Sequence, residues 1–208
     1  MQVRAVNKAR NRQTLLESTA NIIAEAGIEG ASISAICERA ALSRGMVHLH
    51  FANKDALLLE VVRYLNEQYF EVVDTALGQA PESPVEQILA VIKADLSEQL
   101  LNRRNVNLWY AFRGLARSRT DVLQYSDTRD NALREHLMRC YQALAPKKNG
   151  SRQRARDATH GTLALLEGLW ADYYLHDDRF NRRSAVRIVC RFIGGLYPNI
   201  ATSLGLSD

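Results

Sequence analysis

Apolar positions recur at three- and four-residue steps along nearly the whole chain, a spacing that predicts helices throughout. From Arg10 to Ala26 the stripe is Leu15, Leu16, Thr19, Ile22, Ile23 and Ala26, and Gly27 is a natural stop. A short segment, Ile33 to Ala40, opens behind Ser32 or Ser34 as N-cap, and a second, Arg44 to His50, opens behind Ser43. Only Ala41-Leu42-Ser43 lies between them, which gives the dimensions of a helix-turn-helix. Asn53 then caps a longer helix, Lys54 to Leu77, which Gly78 and the Pro81 to Pro84 stretch end. Further helical patterns cover Val85 to Leu101, Val106 to Arg117, Asp121 to Ala145, Gln153 to His176 and Asn181 to Thr202, with a polar link at 146–150. The expected fold class is all-α, and the scarcity of turn residues, 4 Pro and 11 Gly, agrees.

Composition narrows this picture. With 208 residues, 47% hydrophobic and 24% charged, the chain reads as an ordinary folded protein, not a disordered one. No apolar run approaches the roughly 20 residues that cross a bilayer, and no apolar segment follows Met1, so neither a membrane span nor a secretory signal is expected. Cys37, Cys140 and Cys190 form no C-x-x-C pair, which excludes a disulfide framework and a four-ligand zinc site and points to a reducing, cytoplasmic setting. The net charge of +4 is mild, but its placement is not. Arg4, Lys8, Arg10 and Arg12 all precede the first acidic residue, Glu17, and by themselves equal the whole excess. They are expected to form an arm along a phosphate backbone or minor groove.

The two short helices carry what a DNA reader needs. Ile36, Leu42, Val47 and Phe51 supply an apolar rear face, leaving Arg44, Met46, His48, Leu49 and His50 around the front and sides. Arg44, in the first turn, is placed for a guanine edge or a phosphate, and Lys54 for a backbone phosphate. Taken singly, each is an ordinary solvated charge. His48 and His50 diverge by about 200° around a helix and do not chelate one metal.

The stretch Ser32 to Leu58 resembles the N-terminal domain of the TetR family of bacterial repressors, whose pattern here reads Ser32, Ile33, Ile36, Cys37, Ala40, Ala41, Leu42, Ser43, Gly45, Val47, His48, His50, Phe51, Lys54 and Leu57. The resemblance implies phosphate contacts from Ser32, His48, His50 and Lys54 and base contacts from Arg44 and Met46. The full expected DNA-contact set adds Ser34, Gly45, Leu49, Arg10 and Arg12. Departures from the pattern are Ala41 in place of the usual turn glycine, His48 where tyrosine is commonest, and Leu49, which has no hydrogen-bonding group. On this reading, residues 1–53 form a three-helix DNA-binding domain. Residues 54–208 form a helical effector-binding and dimerisation domain, with 54–77 as connecting helix.

Beyond Pro84 no catalytic motif is present, and the one metal-like spacing, His136 and Cys140, lacks a third ligand. No enzyme activity, metal or cofactor is therefore expected. In the last two helices Thr162, Leu165 and Leu169, with Val186, Val189 and Ile193, read either as packing within one subunit or as a two-fold interface. The family resemblance adds weight to the homodimer. Glu167 interrupts an apolar run, and with Trp109, Phe112, Trp170 and Tyr173 it is a candidate site for a cationic effector; the plainer alternative is aromatic core filling. The segments Trp109-Tyr-Ala-Phe112 and Leu166 to Trp170 resemble the branch of the family that represses choline-to-betaine genes, which implies a quaternary ammonium effector such as choline. The expected function is a homodimeric repressor on a palindromic double-stranded DNA operator, released by a small molecule. The rival is a helical binding protein or enzyme whose basic N-terminus is incidental.

Overall fold

The computed structural model describes residues 2–144 and 151–206; the expected polar link at 146–150 and the side chain of Arg4 lie outside the described residues. All regular structure among the described residues is helical. Helix α1 (Gln2–Gly30) reaches back beyond the predicted start, so Lys8, Arg10 and Arg12 stand on a helix and not on an extended arm. It is broken at Gly27, whose φ of 71° and ψ of 179° lie in a region open essentially to glycine. Helices α2 (Ile33–Ala40) and α3 (Arg44–His50) have the predicted bounds. Each is capped by its serine: Ser32 Oγ accepts from Ala35 N–H at 3.1 Å and Ser43 Oγ from Met46 N–H at 3.4 Å. Helix α4 (Lys54–Gln79) starts at Asn53, whose Oδ1 accepts from Ala56 N–H at 2.8 Å, and it runs through Gly78.

Helix α5 (Pro84–Asp95) is shorter than the predicted Val85 to Leu101. The chain turns after Asp95 because the Arg182 guanidinium takes up the carbonyl of Leu96 at 2.8 Å, an acceptor that a continued helix would have used, and also that of Leu101 at 2.6 Å. Then come α6 (Arg103–Ala116), α7 (Thr120–Leu144), α8 (Ser151–His176) and α9 (Arg182–Leu196). Pro198, lacking an N–H, ends the last helical pattern early, and two 3₁₀ turns, Pro198–Ile200 and Thr202–Leu204, follow.

The chain divides into two compact units, Met1–Gln68 with Arg103–Ser126, and Tyr69–Asn102 with Asp127–Asp208. The first holds the helix-turn-helix and extends past residue 53. Its core joins Leu15, Leu16 and Ile23 of α1, Ile36 of α2 and Val47 of α3 to Leu57 and Val61 of α4 and to Leu108 and Phe112 of α6. Two polar ties hold α6 against α1: Asn107 donates to the Ala24 carbonyl at 2.8 Å, and Arg104 to Asn21 Oδ1 at 2.7 Å. In the second unit α8 and α9 pack closely. A Cβ at Gly161 would fall 2.1 Å from the Phe192 ring, so only glycine permits that approach. The buried Tyr141 and Tyr197 rings stack at 5.7 Å, and Tyr141 hydroxyl shares a 2.7 Å hydrogen bond with Thr162. Burial pushes the Tyr141 phenol well above its ordinary pKa.

The turn before α3 stores strain. Ala41 has φ 52° and ψ 39°, the left-handed region, while Leu42 N–H reaches the Cys37 carbonyl and Ala41 N–H the Glu38 carbonyl to close α2. An L-residue there costs roughly 1–2 kcal/mol relative to its right-handed state, so Ala41→Gly is expected to stabilise the protein by about 1 kcal/mol. Urea unfolding should show a higher midpoint for Ala41→Gly; a lower one contradicts the strain.

Candidate nucleic-acid interface

The rear face of α3 is anchored by burial. Val47 is 1% and Phe51 4% exposed, Ile36 of α2 is fully buried, and the half-buried Leu42 packs against the same core. The opposite arc, Arg44, Gly45, His48 and Leu49, is exposed, with the half-buried Met46 and His50 at its edge. Ser32 and Ser34 are exposed at the start of α2, and Arg44 Nη2 donates to Ser34 Oγ at 2.7 Å, bridging the two short helices. Lys54 is half-buried and its Nζ donates to the Ile28 carbonyl at 3.3 Å. An ammonium has three donors, so this bond directs Lys54 without exhausting it.

Of the basic residues on α1, Arg10 is exposed, whereas Arg12 donates to Glu60 of α4 and lies over the Phe51 ring at 5.7 Å. Glu60 also receives Arg63 at 3.1 Å, and Arg63 donates to the Tyr125 hydroxyl at 2.8 and 2.9 Å. His50 Nε2 is a buried atom with no hydrogen-bond partner. Burial, then the charges of Lys8 and Arg12, hold the His50 pKa below the usual histidine value. A neutral imidazole beside two cations is a setting in which an arriving anion favours protonation. Three residues that the sequence reading missed meet at the start of α4: Arg119 of the α6–α7 link pairs with Asp55 at 3.1 Å and with Asp121.

The expected ligand residues fall in both units. In the first, Trp109 is half-buried with the Arg113 guanidinium 5.2 Å over its ring, while Phe112 is 2% exposed inside the core shared with α1 to α4. In the second, Glu167 is half-buried, and Tyr173 meets Phe180 edge-on at 5.3 Å with Arg182 over its ring at 5.4 Å. The carboxylate that Trp170 meets is Asp95. The indole N–H donates to Asp95 Oδ2 at 2.9 Å, Tyr69 hydroxyl donates to Oδ1 at 2.7 Å, and Asp95 is fully buried. Its signal in the sequence was an acid on the apolar stripe Ile88, Ile92, Asp95, three and four residues apart.

The structure places three of the six expected interface residues, Thr162, Val189 and Ile193, in the interior of the subunit. Leu165, Leu169 and Val186 are half-buried, and the outward positions include Ala164, Gly168 and Leu175 of α8 and Ile188 and Gly195 of α9. Among the described residues no group of three His, Cys, Asp or Glu side chains is arranged for a metal, and no helix is long and apolar enough to cross a membrane. His136 and Cys140 make only a contact with each other, at 3.6 Å.

Residues 15–61 match the sequence model of bacterial regulatory proteins of the tetR family, and residues 84–198 match that of the C-terminal part of BetI-type transcriptional repressors. The chain belongs to the TetR family. This TetR-type protein is 26% identical over 182 residues to the transcriptional regulator BetI of Stenotrophomonas maltophilia, covering 88% of this chain and 90% of that one. It is 28% identical over 159 residues to BetI 1 of Chromohalobacter salexigens, covering 76% of each. Among solved structures, a putative transcriptional regulator of Pseudomonas aeruginosa superposes with a TM-score of 0.78 at 25% identity over 93% of both chains. A putative regulator of Saccharomonospora viridis, solved in complex with choline, shares the fold with a TM-score of 0.73 at 18% identity, over 89% of this chain and 96% of that one. TetR-family members are transcriptional regulators and not enzymes, so the rival enzyme reading falls.

Tyr69→Phe tests the Asp95 cluster. It removes the donor to the buried Asp95 Oδ1 and is expected to lower stability by about 1–3 kcal/mol, the usual penalty for depriving a buried acceptor of its donor. An unchanged urea midpoint would show that the bond contributes nothing.

Proposed function

We propose that this TetR-type regulator acts as a homodimeric repressor that binds a palindromic operator in the cytoplasm and is released by a quaternary ammonium effector. The observation that carries the reading is α3, a seven-residue helix locked by its rear face and exposing Arg44, Gly45, His48 and Leu49 on the other. So short a reader covers few base pairs, and pairing two of them about 34–36 Å apart multiplies affinity and specificity. The outward stripe of α8 and α9 suits a two-fold contact. A Cβ at Gly168 or Gly195 would meet nothing within 4 Å in the subunit, so its own packing does not require those glycines. Support for a quaternary ammonium comes from the BetI-named relatives, the choline-bound structural neighbour, and the aromatic and acidic residues Trp170, Tyr173, Glu167 and Asp95 of the second unit. Release requires only that the effector bind the operator-incompatible state more tightly.

Fluorescence anisotropy with a duplex from the protein's own upstream region tests both halves. The reading expects salt-sensitive, sequence-specific binding that choline weakens and its uncharged analogue 3,3-dimethyl-1-butanol does not. Absence of specific binding at moderate salt overturns the repressor reading; binding indifferent to choline overturns the effector. Lys54→Ala should weaken binding to all sequences alike and reduce the salt slope by about one for each Lys54 removed.

A further inference from the structure

Leu49 is the one large aliphatic side chain that α3 turns fully to solvent, 59% exposed among Arg44, Gly45 and His48. An exposed leucine is ordinary on a protein surface, so its placement has to carry the argument. Helical side chains lean toward the N-terminus, which lays Leu49 over the turn that holds Gly45, four residues earlier. A Cβ at Gly45 would meet only Ser43 Oγ, at 3.7 Å, so the subunit leaves room there and nothing from that position shields Leu49. Helical spacing thus sets Gly45 and Leu49 on neighbouring parts of the exposed arc of α3, with Arg44 at its other side. Leucine offers no donor or acceptor, and it is therefore blind to the hydrogen-bonding code of the major groove. The C5 methyl of thymine is the apolar feature that the groove presents.

We infer that Leu49 is a specificity-determining residue that reads the C5 methyl of one thymine in each operator half-site. This rests on the reading of α3 as the DNA-contacting helix and adds to it a base and an atom. The same side chain disfavours cytosine at that position, because cytosine presents no C5 methyl for it to bury.

The test deletes the methyl from the DNA and the isobutyl group from the protein. A duplex is selected from a randomised pool with the full-length protein, and each thymine is then replaced in turn by deoxyuridine, which lacks only the methyl. For the wild type, one thymine per half-site should lose about four-fold in affinity on replacement, the value of one buried methyl group. For Leu49→Ala that position should become insensitive to deoxyuridine, while Leu49→Met, which keeps an apolar side chain, should retain the sensitivity. Because Leu49 is exposed, both variants should keep the wild-type helix content and unfolding midpoint, so a lost effect is not a lost fold. Equal responses of wild type and Leu49→Ala at every thymine overturn the inference while leaving the repressor reading intact. Failure to enrich any duplex overturns the reading and the inference together.

Discussion

Burial of Val47 and Phe51 in the core of the first unit is the interaction on which the reader depends. A helix of seven residues has almost no stability of its own. Fully burying side chains of this size contributes roughly 1.5–3 kcal/mol each, and the Ser32 and Ser43 caps add less. Position therefore comes from the rear face, and packing leaves the exposed face free to vary. The core that receives α3 is contributed by α1, α2, α4 and α6, so a helix some 60 residues downstream in the chain helps to set the attitude of the reader.

The polar contacts of the first unit orient more than they hold. Arg12 with Glu60, Arg119 with Asp55 and Arg44 with Ser34 are wholly or partly exposed, and such pairs contribute little individually. Their effect is to give long, entropically costly side chains a resting place beside the positions where DNA phosphates are proposed to lie. Arg12 and Lys54 illustrate this double use, each having a partner inside the subunit and a side chain that is only partly buried. Asp95 in the second unit is the opposite case. It is fully buried, and its hydrogen bonds from Tyr69 and Trp170 tie the second half of α4 to α5 and α8.

Legibility in the sequence followed the range of the interactions. The bounds of α2 and α3 and their serine caps depend on neighbours a few residues away, and local spacing displayed them; at Ala41 the only signal was the turn glycine that the resembling family carries there. The early end of α5 depends on Arg182, more than 80 residues later, and no local signal marks it. Phe112 read as a pocket residue because an aromatic in an amphipathic helix looks the same whichever core it enters; its neighbours are those of the DNA-binding helices. Thr162, Val189 and Ile193 read as interface for a similar reason, since the periodicity of α8 and α9 marks an apolar face without saying whether the same chain or a second copy covers it.

The claim that α1 to α4 and α6 form one cooperative body is tested most directly by hydrogen exchange on the full chain carrying Phe112→Ala. A buried aromatic truncated to alanine typically removes about 3–5 kcal/mol, and the loss is expected to be shared: amides of α2 and α3 exchange faster along with those of α6. Faster exchange confined to α6, with α2 and α3 protected as in the wild type, would contradict it.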